Sequence, residues 1–268
     1  MATSTNAAFI AQYSNEVKQL WAQNDTRLMD TLRVHKNVVG STYNFHRMAA
    51  VVANTKSRDA AITALDPTAT QVTATLADYY AGIYIDKLDE LKTNANLRAE
   101  YAKAAVGAIN RKVDDVIITE LANAANTTAT VAGGLTLAKI LECVTYLNTN
   151  EVDPEKRVLV IGAKQISEAL AIQQLTSSDY VQVQAILQAG VGSALGMKWI
   201  MSNRLPKVSA NRTCFAFNGD SIGLAVGQDV TTEVNYIPER VAYLTNSYVS
   251  LGAKIIDDLG ITKMTCVE

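Results

Sequence analysis

The chain is poor in the residues that chemistry and compartment usually leave behind. Four prolines in 268 residues leave long stretches free of the ring that breaks helix interiors and central strands. Three cysteines, Cys143, Cys214 and Cys266, are odd in number, far apart and without a C-x-x-C pair. That excludes a disulfide framework and a zinc finger, and reduced, mostly buried thiols are expected. The two histidines, His35 and His46, have no carboxylate nearby at the spacing of a metal site or a triad. No apolar run approaches the ~20 residues that span a bilayer; Val158–Ile161 is among the longest. The opening Met-Ala-Thr-Ser-Thr-Asn has neither the basic nor the apolar region of a secretory signal, so no membrane partner and folding in a cytoplasm are expected. Charge of one sign is missing too: 24 basic against 26 acidic residues, net -2. A protein that grips nucleic acid through its phosphates looks different, and contact with DNA is expected to be weak.

Signatures of catalysis are thin as well. Val158-Leu-Val-Ile-Gly162 resembles the first strand of a dinucleotide fold, but Ala-Lys-Gln-Ile follows, without the glycines that let a pyrophosphate approach the backbone. Gly190 to Gly196 follows a helical pattern and precedes a strand, which reverses the required order, and reads as a turn. Asp114-Asp115 and Asp257-Asp258 are adjacent pairs whose side chains diverge on a helix or strand, and they read as solvated carboxylates. No catalytic residue, cofactor or metal ligand is expected.

What the chain does have is periodicity. Asn94 to Ala125 reads as one helix of ~48 Å, as long as a compact chain of this size is wide, ~45–50 Å. Its apolar stripe runs through Leu97, Tyr101, Ala104, Ala105, Ala108, Ile109, Val113, Val116, Ile117 and Leu121, with Arg98, Lys103, Arg111, Lys112 and Asp115 away from it. Before it, Val38–Val52 and Gln71–Ile85 are strand-like and flank a polar segment with Lys56, Arg58 and Asp66-Pro67, which predicts a long hairpin. Val72, Ala74 and Leu76 alternate with Thr73 and Thr75, so one face is covered. An isolated hairpin is marginal in water, and something outside the ribbon must hold it. Ala7–Trp21 places Phe9, Tyr13, Val17 and Trp21 at helical spacing, an arm that packs on its own domain or on a neighbour.

After Gly134 the pattern is mixed: helices over Leu135–Asn148, Ala163–Ile172 and around Tyr180–Leu187, and strands over Arg157–Gly162, Met197–Ser202 and Cys214–Asn218. A short helix is expected at Asp220–Val226, then three strand-like runs, Val230–Tyr236, Arg240–Asn246 and Val249–Asp257.

Three blocks carry a resemblance: Tyr79–Leu91 running into the long helix; Arg157–Gln165 with Ser177–Val181 and Ser202–Leu205; and Phe217–Gly227 through Tyr248–Ala253. In this order they resemble the major capsid proteins of tailed bacteriophages with the Hong Kong ninety-seven fold, an α+β class. The resemblance implies an N-terminal arm at 1–35, an extended β-hairpin loop at 36–90, a peripheral domain with a spine helix at 91–134, an axial domain at 135–241 and a C-terminal return at 242–268. It further implies self-assembly into hexamers and pentamers of an icosahedral head around double-stranded DNA, with residence in the virion after assembly in the host cytoplasm. Intersubunit contacts are expected at Lys56, Arg58, Tyr79, Tyr80 and Tyr84 on the loop, and at Phe9, Tyr13 and Trp21 on the arm. A separate scaffolding protein and a portal are the implied partners, and the presence of a decoration protein is left open. With only some 35 residues ahead of the hairpin, no cleaved scaffolding segment is expected. Lys56 is the candidate by position for a covalent crosslink, but non-covalent assembly is expected. An encapsulin-like compartment enclosing cargo enzymes is the alternative.

Overall fold

The computed structural model describes residues 23, 25–88, 97–128, 133–172 and 191–268. The expected helix Ala7–Trp21, with Phe9, Tyr13 and Trp21, lies outside them, as does the one around Tyr180–Leu187. In chain order the elements are β1 (Arg33–His35), β2 (Thr42–Met48), β3 (Ala69–Thr75), β4 (Ala77–Asp86), α1 (Leu97–Ala122), α2 (Leu137–Thr149), β5 (Arg157–Ile161), α3 (Ala163–Ala171), β6 (Val191–Ala194), β7 (Met197–Met201), β8 (Lys207–Val208), β9 (Asn211–Asn218), β10 (Ile222–Ile237), β11 (Ala242–Ile255) and β12 (Ile261–Val267). They form a four-stranded sheet in the order β1-β10-β11-β4, a six-stranded sheet built on β12-β9-β5-β7-β6 with β8 beside β9, and a ribbon of β2 and β3.

Helix α1 lies on the four-stranded sheet, against β11, β4 and β10. Its described 26 residues span ~39 Å. Ala105, Ile109, Val113, Ile117 and Leu121 recur every fourth position and are all buried, as the periodicity predicts. Tyr101 does not join them: it is exposed, because the buried stripe starts one turn later, at Ala105. The second sheet supplies much of the buried core. Every residue of β5 is buried, as an apolar run flanked by neighbours on both sides requires, and α2 covers β12.

Several expectations are corrected. Gln71–Ile85 is two strands, since β3 pairs with β2 while β4 pairs with β11; the chain changes sheet at Leu76. Asp220–Val226 is a single 3-10 turn at Gly219–Ser221 and then β10; its apolar run is buried between β1 and β11. The runs 240–246 and 249–257 are one strand, and β12 is an additional one. Half of the glycine-rich stretch is β6, and the turn itself is Leu195-Gly196, both at positive φ. Asp114 is not a solvated carboxylate; it is fully buried in α1. The three cysteines are free and buried, Cys143 beside the Thr128 hydroxyl at 3.1 Å.

Candidate functional site

The ribbon is held at its root by the chain's own body. Phe45 faces Val72 across the ribbon, and Phe45 and Ala74 are buried against Ala225 and Ile256, with Val38, Tyr43 and Leu76 packed around them. The expected alternation holds: Val72, Ala74 and Leu76 turn inward while Thr73 and Thr75 are exposed. What allows so close a contact is a patch of the smallest residues on β10 and β11, where Gly252 sits opposite Ala225. A Cβ on Gly252 would stand 2.1 Å from the carbonyl oxygen of Thr75; one on Gly223 would stand 2.5 Å from the Phe45 ring, and one on Gly227 would stand 2.8 Å from Leu76. His35 stacks on Tyr43 at 4.2 Å, Tyr43 meets Phe45 edge-on at 4.8 Å, and Arg47 pairs with Asp257 at 3.2 Å. These glycines are residues that the sequence reading missed. Their signal was present, because an isolated glycine inside a strand pattern marks a close backbone approach.

Beyond the root the ribbon runs out of support. The amide of Ala49 still bonds the carbonyl of Thr68, but from 49 to 68 there is no strand and every residue except Pro67 is exposed. The apex is a turn closed by the amide of Ala60 on the carbonyl of Ser57, with Asp59 at φ 65. Lys56 and Arg58 stand there in solvent. So do apolar side chains: Val52 is 83% and Ile62 79% exposed, and Met48, Val51 and Leu65 are exposed with them. Covering one such side chain is worth ~1.5–3 kcal/mol, so the arm gains from a partner that its own subunit does not supply.

The three tyrosines expected on the loop stand elsewhere. Tyr79, Tyr80 and Tyr84 belong to β4, on the body. Tyr79 turns inward, with the Lys112 ammonium 5.0 Å from its ring centre, so its ring is used within the subunit. Tyr80 and Tyr84 turn outward; Tyr80 neighbours Tyr248 at 6.4 Å, and the Arg240 guanidinium covers Tyr84 at 4.6 Å.

The root of the N-terminal arm is fastened to α1 by Asp114. Its carboxylate accepts from the Gln23 side chain at 2.5 Å and from the amides of Arg27 and Leu28 at 3.2 and 3.3 Å. Arg111 donates to the Gln23 carbonyl, and Arg27 to that of Met201. Burial pushes the Asp114 carboxyl above its ordinary value, and the three accepted bonds oppose that shift.

At Gly162, where the sequence resembles the opening of a dinucleotide fold without its later glycines, the turn is occupied by the chain's own side chains. The first amide of α3, that of Ala163, is capped by Asn203 at 3.0 Å, and the Arg212 side chain lies over Gly162. Among the described residues no group of three or more His, Cys, Asp or Glu could hold a metal. A cleft of about 270 Å³ beside Thr31 and Leu32 is lined by charges of both signs, among them the Lys156–Asp220 ion pair.

An arm seated on its own body at one end and bare and apolar at the other defines a class: a subunit completed by further copies, as in a protein shell. The sequence matches the family of phage capsid proteins over residues 5–268, and the chain belongs to that family. A search among curated proteins finds no match. Among solved structures it is similar to that of Mycobacterium phage Che8, with 19% identity and a TM-score of 0.74 over 94% of this chain and 95% of that one. The capsid of cyanophage P-SCSP1u gives 14% and 0.76 over 98% and 94%. The capsid of an empty GTA particle with C5 symmetry gives 12% and 0.69 over 100% and 99%. The chain is thus a major capsid protein of the Hong Kong ninety-seven fold, a structural component whose copies form the shell of a phage head in the virion. The encapsulin-like alternative is not better supported.

Proposed function

We propose that this subunit assembles into hexamers and pentamers that close an icosahedral shell around double-stranded DNA, and that its role is wholly structural. The observation that carries this is the bare arm of residues 49–68, with Val52 and Ile62 in solvent. A ring or shell of copies covers such a surface through many modest contacts whose linkage multiplies their strength. Lys56 and Arg58 then contact a neighbouring copy, and Phe9, Tyr13 and Trp21 of the N-terminal arm do likewise. The expected division supplies the parts: arm at 1–35, extended loop at 36–90, of which β4 lies on the body and only the part before Leu76 reaches outward, peripheral domain at 91–134, axial domain at 135–241 and return at 242–268. The near-balanced charge, net -2, suits a wall that encloses DNA with weak, non-specific contact. Assembly takes place in the host cytoplasm without covalent crosslinks, together with a separate scaffolding protein and a portal.

Electron microscopy of the purified chain under assembly conditions, with and without scaffolding protein, tests this; closed shells are expected. Discrete monomers or dimers in every condition would overturn it. Mass analysis of native particles is expected to find DNA, and a cargo enzyme in its place would turn the reading to a compartment.

A further inference from the structure

Toward its C-terminal end the chain crosses twice between the two large sheets, from β9 to β10 and from β11 to β12. Each crossing contains a short 3-10 turn, Gly219–Ser221 in the first and Asp258–Gly260 in the second. The crossings lie side by side. The Ser221 carbonyl accepts the amides of Ile256 at 2.8 Å and Asp257 at 3.1 Å, and a Cβ on Gly260 would stand 1.8 Å from the Ser221 hydroxyl oxygen. Paired crossings a few residues long have the form of a hinge, in which element ends absorb the change of backbone angle.

A third segment runs past this hinge and touches both halves of the molecule: the stretch from Gln23 to Leu32 that leads into β1. On the side of the four-stranded sheet, Asp114 of α1 accepts from the Gln23 side chain and from the amides of Arg27 and Leu28, and Arg111 donates to the Gln23 carbonyl. On the side of the six-stranded sheet, the Arg27 guanidinium donates to the carbonyl of Met201, the last residue of β7, at 2.6 Å. At the hinge, the Thr31 carbonyl lies so close to Gly219 that a Cβ there would stand 2.1 Å from its oxygen. Leu28, between these footholds, is fully buried. The 270 Å³ cleft beside Thr31 and Leu32 separates this stretch from Lys156 and Asp220, so the first turn has room to move on that side.

We infer that the stretch from Gln23 to Leu32 is a strap that braces a hinge at Gly219–Ser221 and Asp258–Gly260, and so fixes the angle between the two sheets. Arg27 is its central residue, because its amide is held by α1 while its side chain holds the end of β7. With the strap seated, turning one sheet on the other pulls the guanidinium from Met201 or the amides from Asp114. The other tie between α1 and the end of β7 is the Asp115–Arg204 ion pair, whose side chains are 31% and 33% exposed; a pair so open to water resists turning weakly. The device works within one chain and goes beyond the reading of that chain as a shell subunit.

Hydrogen exchange of the free subunit, in the full chain, tests it for the native protein, Arg27→Ala, Asp114→Ala and the double variant. Arg204 stays intact in all of them. The probes are the amides of Ile256 and Asp257, whose bonds to Ser221 join the two crossings, while the amides of β5, inside one sheet, report global unfolding. Either single variant is expected to raise exchange at Ile256 and Asp257 about tenfold relative to β5. The double variant is expected to add little, because a strap released at one end no longer braces, whereas independent contacts would add in full. Native rates at Ile256 and Asp257 in both single variants, an equal rise in β5, or full additivity overturns the inference. Spin labels at Val208→Cys on β8 and Val234→Cys on β10, both exposed positions, give a second reading, the three native cysteines being buried. The distance distribution is expected to be narrow in the native background and broader or shifted with Arg27→Ala; one that Arg27→Ala leaves unchanged likewise overturns the brace.

Discussion

Strand β5 and the arm 49–68 are both rich in aliphatic residues, yet all five residues of β5 are buried while the arm leaves all but Pro67 exposed. The difference lies in what each segment can reach. β5 has β7 and β9 as neighbours, so its backbone groups are paired and its side chains are packed on both faces. The arm has left its body by way of a two-stranded ribbon, and two strands bury too little to fold back on themselves. Apolar side chains kept in solvent on a projecting arm mark an incomplete interface, whereas the same residue types in β5 mark a finished core. Between the two lies the glycine seat, where the finished part holds the unfinished part at a fixed angle.

The sharpest way to break that contrast is to unseat the ribbon. In Gly252→Ala the new Cβ would stand 2.1 Å from the carbonyl oxygen of Thr75, a backbone atom that cannot rotate away. Overpacking of this kind costs ~1–3 kcal/mol and at backbone contacts more. A cost at or above the top of that range is expected, as a lower denaturant midpoint together with loss of shells. Gly223→Ala meets the Phe45 ring instead; a side chain can yield, so a smaller loss is expected, partly restored by adding Phe45→Leu. Equal denaturation curves for Gly252→Ala and the native chain would show that the seat does not hold the ribbon.

A second device, on the finished side of the molecule, fixes the N-terminal arm. Asp114→Ala leaves the amides of Arg27 and Leu28 without their acceptor, and a buried unpaired donor costs ~1–3 kcal/mol. The pH dependence carries its own sign. Burial raises the Asp114 carboxyl above its ordinary 3.8, so the folded chain holds that proton more tightly than the unfolded one. Stability from this group is therefore greatest in acid and falls as pH rises from about 3.8 through the raised value. The isosteric Asp114→Asn removes the titration, so the difference in unfolding free energy between native and variant should change across that window. Parallel curves would mean that the carboxyl titrates as a solvated one.

How much of this could be read beforehand depends on the range of the forces involved. Helix α1 and the alternation of Val72, Ala74 and Leu76 were legible, because local periodicity records which face is covered. Tyr101 was misread because periodicity does not tell where the covering surface begins. Leu76, where the chain changes sheet, lies inside one unbroken strand-like run, and only pairing partners far along the chain divide it. Asp114 looked like any charged residue on a helix, since its three donors come from residues 23–28, remote in sequence. Tyr79, Tyr80 and Tyr84 were expected as contacts on the loop; register with β11 puts them on the body and turns Tyr79 inward.

The smallest effect on the isolated subunit belongs to the arm, and there the contrast becomes sharpest. Ile62 is 79% exposed, so Ile62→Ser removes no packing from the folded monomer, and its unfolding free energy should stay within ~0.5 kcal/mol of native. If a neighbouring copy covers the same side chain, as proposed above, its loss removes ~1.5–3 kcal/mol of apolar burial at each contact. The concentration of subunit at which shells form should therefore rise by roughly tenfold or more. The mirror substitution in the core, Val160→Ser in fully buried β5, should do the reverse and destabilise the monomer first, by ~2–4 kcal/mol for a cavity with a polar group inside it. Light scattering against subunit concentration, beside denaturant unfolding of the same two proteins, measures both. If Ile62→Ser assembles at the native concentration, the exposed side chains of the arm are ordinary surface, and the contrast between the two regions is one of position alone.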